Sequence, residues 1–279
     1  MELNLRTMAT FGVAGNFTGH LEQAGEARDF KNVQTAEANA PKALFPTFIP
    51  QGGDSVPAYL KVFPFDAYRV IFPDGQQNLQ IEPEMAIVCE VSWQDGQVTA
   101  LKPVAFGASN DCSIRKEGAR KISEKKNWGP SSKGFATNVL KIDSFAPGGI
   151  LDKYRIASFL VRDGEVYEYG EDSAVRDYSY FYDKLLAWCI DKLNHQQDTG
   201  PAEHINAYLQ EAGCPQQILI SVGATRYTPF GESHYLQKGD QAVVVVYPED
   251  VYSKEEIAHR VKRDNLEEDD ISVLQQMIV

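Results

Sequence analysis

Apolar residues along this chain fall mostly into short runs bounded by Gly, Pro and Asp, the pattern of strands rather than of long helices. Asn78–Val91 reads as one strand, and Arg155–Val161, Gln217–Val222 and Gln241–Tyr247 read as three more. In the last of these, Ala242-Val243-Val244-Val245-Val246 is β-branched enough for a buried strand. Helical periodicity appears over Tyr180–His195, where Tyr182, Leu185, Leu186, Cys189 and Leu193 share a face. A second helix is expected from Pro201 to Gly213, with proline early and glycine late. A third is expected over Asp270–Ile278, where Ile271, Leu274, Met277 and Ile278 form a stripe behind Glu267, Glu268, Asp269 and Asp270. That stripe could pack on its own chain or on a partner subunit.

Strands with peripheral helices predict an α+β fold rather than a regular α/β alternation. The expected organisation is an N-terminal segment (1–70), a central strand-rich domain (71–250) and a C-terminal helical tail (251–279). With 279 residues, 43% of them hydrophobic, the chain can bury a sizeable core. Its 27 Lys+Arg against 39 Asp+Glu give a net charge of −12, which argues against a nucleic-acid partner, because neutralising phosphates needs a basic surface. Cys89, Cys112, Cys189 and Cys214 are far apart and form no C-x-x-C pair, so they are read as buried, reduced thiols. Met1–Arg6 lacks a signal pattern, and no apolar run is long enough to cross a bilayer. The expectation is a soluble, cytoplasmic protein with no membrane partner.

The polar positions inside the strand pattern carry the candidate chemistry. Residues two apart on a strand point the same way, so Glu82 and Glu84 share a face. Two carboxylates on an apolar strand are costly unless something positive lies between them. A hard divalent cation meets that need; a solvated edge strand, which Pro83 would suit, is the ordinary alternative. Asp111, among the small and polar residues Ser109-Asn110-Asp111-Cys112-Ser113, offers a third carboxylate, although such a run is also a common turn or cap. Lys133 sits between small residues and could neutralise an anionic substrate or a developing enolate, or simply be a surface lysine. His20 lies in a Gly-rich turn before an apparent helix, which suits a general base or a structural cap.

In this order, the pieces resemble the fumarylacetoacetate hydrolase family. Gly15-Asn16-Phe17-Thr18-Gly19-His20 is similar to the family's Gly-x-Asn-Tyr-x-x-His-x-x-Glu motif, and Glu82-Pro83-Glu84 to its Glu-x-Glu strand. Asn110-Asp111-Cys112-Ser113-Ile114-Arg115 is similar to Asn-Asp-x-Ser-Ala-Arg, and Lys133-Gly134-Phe135-Ala136-Thr137 to Lys-Ser/Gly-Phe-x-Thr. Gly223-Ala224-Thr225, Lys238-Gly239-Asp240 and the Asp163-Gly164-Glu165 hairpin complete a match spanning residues 10–247.

The resemblance implies a mixed β-sheet roll with peripheral helices, commonly a homodimer. It implies Mg²⁺ (or Mn²⁺ or Ca²⁺) on Glu82, Glu84 and Asp111, with His20 and Lys133 catalytic and Arg115, Thr137 and Thr225 binding an anionic small-molecule substrate. Family members act on 2-oxo and 2,4-dioxo acids, where a metal chelates the carboxylate and keto oxygen and stabilises an enolate. C–C hydrolysis or decarboxylation is the leading expectation. Hydration or isomerisation on the same scaffold, or metal-dependent ligand binding without catalysis, are the alternatives. The departures bear on that choice. Gln23 stands where the family has the Glu of His-x-x-Glu, and Arg115-Lys116-Glu117-Gly118 lacks the family's glutamine after the arginine. Thr47-Phe48-Ile49-Pro50 loses a family lysine, and Lys141 rivals Lys133 for the remaining lysine role.

Overall fold

The structure, a computed structural model, describes residues 3–31, 33–75 and 78–279; Met1 and Glu2, where the N-terminal reading begins, lie outside them. The strands of the first half are β1 (Ala9–Ala14), β2 (Ala43–Phe48), β3 (Arg69–Val70), β4 (Leu79–Gln80), β5 (Pro83–Gln94), β6 (Gln97–Asn110) and β7 (Ser113–Ile114). After them come β8 (Gly134–Phe135), β9 (Leu140–Lys141), β10 (Tyr154–Arg162), β11 (Glu165–Ala174), β12 (Gln217–Ser221), β13 (Gln241–Pro248) and β14 (Ser272–Ile278). The helices are α1 (His20–Gln23), α2 (Tyr182–His195), α3 (Ile205–Glu211), α4 (Pro229–Ser233) and α5 (Lys254–Lys262).

Two mixed sheets carry the fold. One runs β2-β1-β12-β5-β6-β8, with β9 also on β6; the other runs β11-β10-β13-β14-β3. Among the named strands, β1 with β12 and β14 with β3 pair in parallel. One apolar cluster joins Phe11, Ile87, Phe106 and Ile220 of the first sheet to Ile156, Val244, Val246 and Leu274 of the second. Val243, Val245 and Tyr247 point the other way, onto Ile257 and Val261 of α5. The valine run is therefore buried on both faces, as its β-branched character predicts. Asp163 and Gly164 turn β10 into β11 with φ of 52° and 80°, the left-handed pair that a tight hairpin needs. The predicted α+β roll with peripheral helices is the observed architecture.

Three expectations need correction. Asn78–Val91 is not one strand: β4 and β5 are separated at Ile81 and Glu82, and β4 pairs with β7 instead of joining the large sheet. The helix expected from Pro201 is confined to Ile205–Glu211. The C-terminal helix over Asp270–Ile278 is the strand β14, and the tail's helix is α5. Inward positions on β14 are Ser272, Leu274, Gln276 and Ile278, at period two, and Met277 of the supposed stripe is 41% exposed. The polar inward pair decides this. Ser272 Oγ accepts from the Ala108 N–H and donates to the Asn138 carbonyl, while Gln276 bonds Asn110 and the Lys133 carbonyl. Those partners are distant in sequence, so local periodicity gives no sign of them. Of the four cysteines, all free, Cys89, Cys112 and Cys189 are buried and Cys214 is partly so.

The loop ahead of α3 buries Glu203, 1% exposed, against Ser123, which also contacts the Tyr59 hydroxyl at 2.7 Å. Burial pushes the Glu203 carboxyl up to about 7 from an ordinary 4.5. Between those values the folded chain holds a proton that the unfolded chain has lost. Stability therefore falls as pH rises through that window, by roughly 3 kcal/mol in all. Glu203→Gln carries no such charge, so it should be stabilised relative to wild type at pH 8 compared with pH 5. Urea melts at both pH values test this; equal differences would remove Glu203 as the cause.

Candidate metal centre and active site

The β5–β6 hairpin gathers the acids. Its register sets Glu84 beside Ser109 and Pro83 beside Asn110. Just past the last pair, the Asp111 N–H donates to the Glu82 carbonyl at 3.0 Å and the Glu82 N–H donates to Asn110 Oδ1 at 3.1 Å. Asn110 in turn donates to Gln276 on β14 at 2.9 Å, so the C-terminal strand braces the site. Glu82, Glu84 and Asp111 are all buried, and one oxygen of each lies within 4.8 Å of the others. Glu84 Oε2 accepts the Gly223 N–H at 2.7 Å. Gly223 has φ of 135°, a left-handed-side value that a residue with a side chain rarely adopts, so glycine is what aims this N–H at Glu84.

Among the described residues, three cations contact the acids, and a fourth, Lys125, pairs with the neighbouring Glu26. Lys126 Nζ lies 2.6 Å from Glu82 Oε2 and 3.0 Å from Asp111 Oδ2, and Lys133 Nζ lies 2.8 Å from Asp111 Oδ1. Arg115 Nη2 approaches Glu82 Oε1 to 2.7 Å, while its other donors reach Gln80, Glu26 and the Tyr227 hydroxyl. Lys125 Nζ is 2.8 Å from Glu26 Oε1. Glu82 Oε1 and Asp111 Oδ2 have these charged neighbours but no aligned hydrogen bond. Burial works against ionisation at Glu82, yet Lys126 and Arg115 outweigh it and hold the carboxyl well below its usual range. Among the described residues no cation is ion-paired with Glu84, and the pull of Lys126 on it is outweighed. Burial and the charges of Asp111 and Glu82 drive its carboxyl well above the usual range. Burial also lowers Lys133, against the pull of Asp111.

His20 opens α1, and its Nδ1 lies 2.8 Å from the Thr225 carbonyl. A carbonyl only accepts, so in the neutral ring Nδ1 carries the proton and Nε2 is a free base. That Nε2 is buried, has no hydrogen-bond partner, and lies 3.8 Å from Glu82 Oε1. Gln23 faces a different way. It accepts from the Tyr227 N–H at 2.8 Å and donates to the Tyr227 carbonyl at 3.1 Å. A glutamate could make only the first of these bonds, so the amide of Gln23 fastens the Tyr227 loop to α1.

The structure thus brings His20, Glu82, Glu84, Asp111, Arg115 and Lys133 together. Thr225 joins through its carbonyl, and its Oγ1 is buried without a partner. Thr137 and Lys141 are exposed and apart from the acids. Asp240 of the Lys238-Gly239-Asp240 turn is engaged with Arg162 at 2.7 and 2.6 Å. Sequence reasoning missed Glu26 and Lys126, both buried. Nothing in Glu124-Lys125-Lys126-Asn127 distinguishes it from a solvated charged turn.

A small cavity of about 10 Å³, the size of one water or ion, touches His20, Glu26, Glu82, Glu84 and Lys126. A second cavity of about 450 Å³ lies outside it, bordered by Arg28, Arg115, Lys116, Lys125 and Tyr235. Glu26 borders both cavities, and its ion-pair partners Arg115 and Lys125 line the larger one. The inner donors fit a hard divalent cation: three converging carboxylates, two with an oxygen lacking a hydrogen bond.

The chain superposes on solved structures over nearly its whole length. Against a structure of Cg1458 with an inhibitor the TM-score is 0.57 at 14% identity, covering 97% of this chain and 76% of that one. Against 2-keto-3-deoxy-D-arabinonate dehydratase complexed with magnesium and 2,5-dioxopentanoate it is 0.53 at 14%, covering 97% and 72%. Against a protein described as a fumarylacetoacetate hydrolase family member from Yersinia pestis CO92 it is 0.51 at 12%, covering 99% and 95%. The resemblance read in the motifs therefore holds at the level of the fold. No curated protein sequence matches the chain. A family model matches residues 26–278, and the chain belongs to that family, a family of unknown function (DUF5718).

Proposed function

We propose that this chain is a divalent-metal-dependent enzyme that acts on a small 2-oxo acid by moving a proton next to the keto group. The observation that carries the reading is the convergence of Glu82, Glu84 and Asp111 beside the unpartnered Nε2 of His20. Mg²⁺ or a similar ion held by the three acids would polarise a keto oxygen and so acidify the neighbouring C–H. His20 Nε2 takes that proton, with the ring fixed by the Thr225 carbonyl. Lys133, tied to Asp111, adds positive charge beside the developing negative charge. Arg115 and Lys125 supply the cationic side of the outer cavity, from which an organic anion would enter.

Gln23, held by the Tyr227 backbone, favours decarboxylation, hydration or tautomerisation over hydrolysis, because His20 has no carboxylate partner at that position for activating water. The magnesium-bound dehydratase of similar fold is consistent with this choice. Pyruvate and 2-oxobutyrate incubated with the protein and Mg²⁺ in D₂O should lose their C3 proton signals in the NMR spectrum, and chelation should stop the loss. No exchange, with the acid still raising the melting temperature in Mg²⁺, would favour a metal-dependent binding protein. Neither effect would remove the 2-oxo-acid reading.

A further inference from the structure

Lys126 follows the turn Ile122–Lys125 and is 2% exposed. Its Nζ touches Glu82 Oε2 at 2.6 Å and Asp111 Oδ2 at 3.0 Å, two of the three acids proposed to hold the metal. The Asp111 contact lacks hydrogen-bond alignment. The same nitrogen lies 5.1 Å from the centre of the Phe45 ring, and Lys126 and Phe45 both border the small inner cavity. That ring can lie there because its strand neighbour is Gly12, where a Cβ would come within 2.3 Å of it.

A divalent ion on these oxygens would stand within contact distance of the Lys126 ammonium. Like charges that close in a dry site repel strongly, so the two cations cannot both occupy it. Without the lysine, Glu82 and Asp111 would be neighbouring buried charges with less to hold them together. The Phe45 face offers the ammonium a place to go, since a cation above an aromatic ring is attracted to it.

We propose that Lys126 is a built-in counter-cation of the acid cluster, which a divalent ion must displace to bind, so that Lys126 sets the protein's metal affinity. The inference rests on the metal-site reading above, and the two can fail separately. Mn²⁺ is titrated calorimetrically into chelator-treated wild type and Lys126→Met. The variant should bind Mn²⁺ about tenfold tighter or more, as removal of a competing like charge implies. Its metal-free melting temperature should lie below that of wild type, and Mn²⁺ should raise it by more. Lys126→Arg keeps the charge and should bind no tighter than wild type. Equal or weaker binding by Lys126→Met, or tighter binding by Lys126→Arg, overturns the inference while leaving the metal site standing. Binding by none of the three overturns both. If Lys126→Met does not fold even with Mn²⁺ present, Lys126→Gln is titrated in its place, with the same expected result.

Discussion

Replacing His20 by alanine should slow metal-dependent proton exchange at C3 of a 2-oxo acid by about 10²- to 10⁴-fold, the range typical of a lost general base. Mn²⁺ affinity should stay as it was, because the ring is not among the three converging carboxylates. The effect should be that specific because His20 is held from one side only. Nδ1 is anchored to the Thr225 carbonyl, and Nε2 faces the acids with nothing bound to it. A histidine serving only as a cap would leave exchange untouched and lower the melting temperature instead. His20→Gln adds a second control, since its amide can still donate to the Thr225 carbonyl but cannot act as a base at neutral pH. Exchange that persists in both variants would take His20 out of the chemistry.

Arg115→Met should destabilise the fold by about 3–5 kcal/mol, the cost of leaving buried charges without their partner. Arg115 contacts Glu82 and Glu26, and all three side chains are at most 7% exposed. Burial pushes the Glu26 carboxyl up, yet Arg115, Lys126 and Lys125 together hold it at about 2. Pairing Arg115→Met with Glu26→Gln should recover part of the loss, since one stranded carboxylate is then gone, and a double-mutant cycle in urea reads that coupling. Additive losses would mean that the pair does not interact. The same pair bears on access, because Glu26 borders both cavities and Arg115 and Lys125 line the larger one. If substrate reaches His20 past Glu26, Glu26→Gln should change exchange rates with little effect on metal binding.

Much of this fold is legible in the sequence where one period dominates. The valine run of β13 is buried as its pattern selects, and of the expected face of α2, Leu185, Cys189 and Leu193 are buried while Tyr182 and Leu186 are half-buried. The C-terminal segment misleads because Ser272 and Gln276 are buried by partners that lie more than a hundred residues away. The acid triad is legible because Glu-x-Glu and Asn-Asp are short motifs, and the β5–β6 pairing brings them together. Of the cations around it, Arg115 and Lys133 are legible in motifs, and the other two are not. Lys125 and Lys126 sit in a run that reads as solvent-facing, and only the packing of the 122–126 turn against Glu26 and Glu82 shows otherwise. Thr137, a motif residue, lies exposed in the bend after β8.

The central claim is that Glu82, Glu84 and Asp111 hold one divalent ion. Crystals grown with Mn²⁺ and measured at a wavelength where manganese scatters anomalously test it most directly. The account predicts a single anomalous peak about 2.0–2.6 Å from an oxygen of each of the three residues, with the Lys126 ammonium moved away from Glu82 and Asp111. A site between the acids without an anomalous peak, and with Lys126 still bridging Glu82 and Asp111 in saturating Mn²⁺, would contradict it.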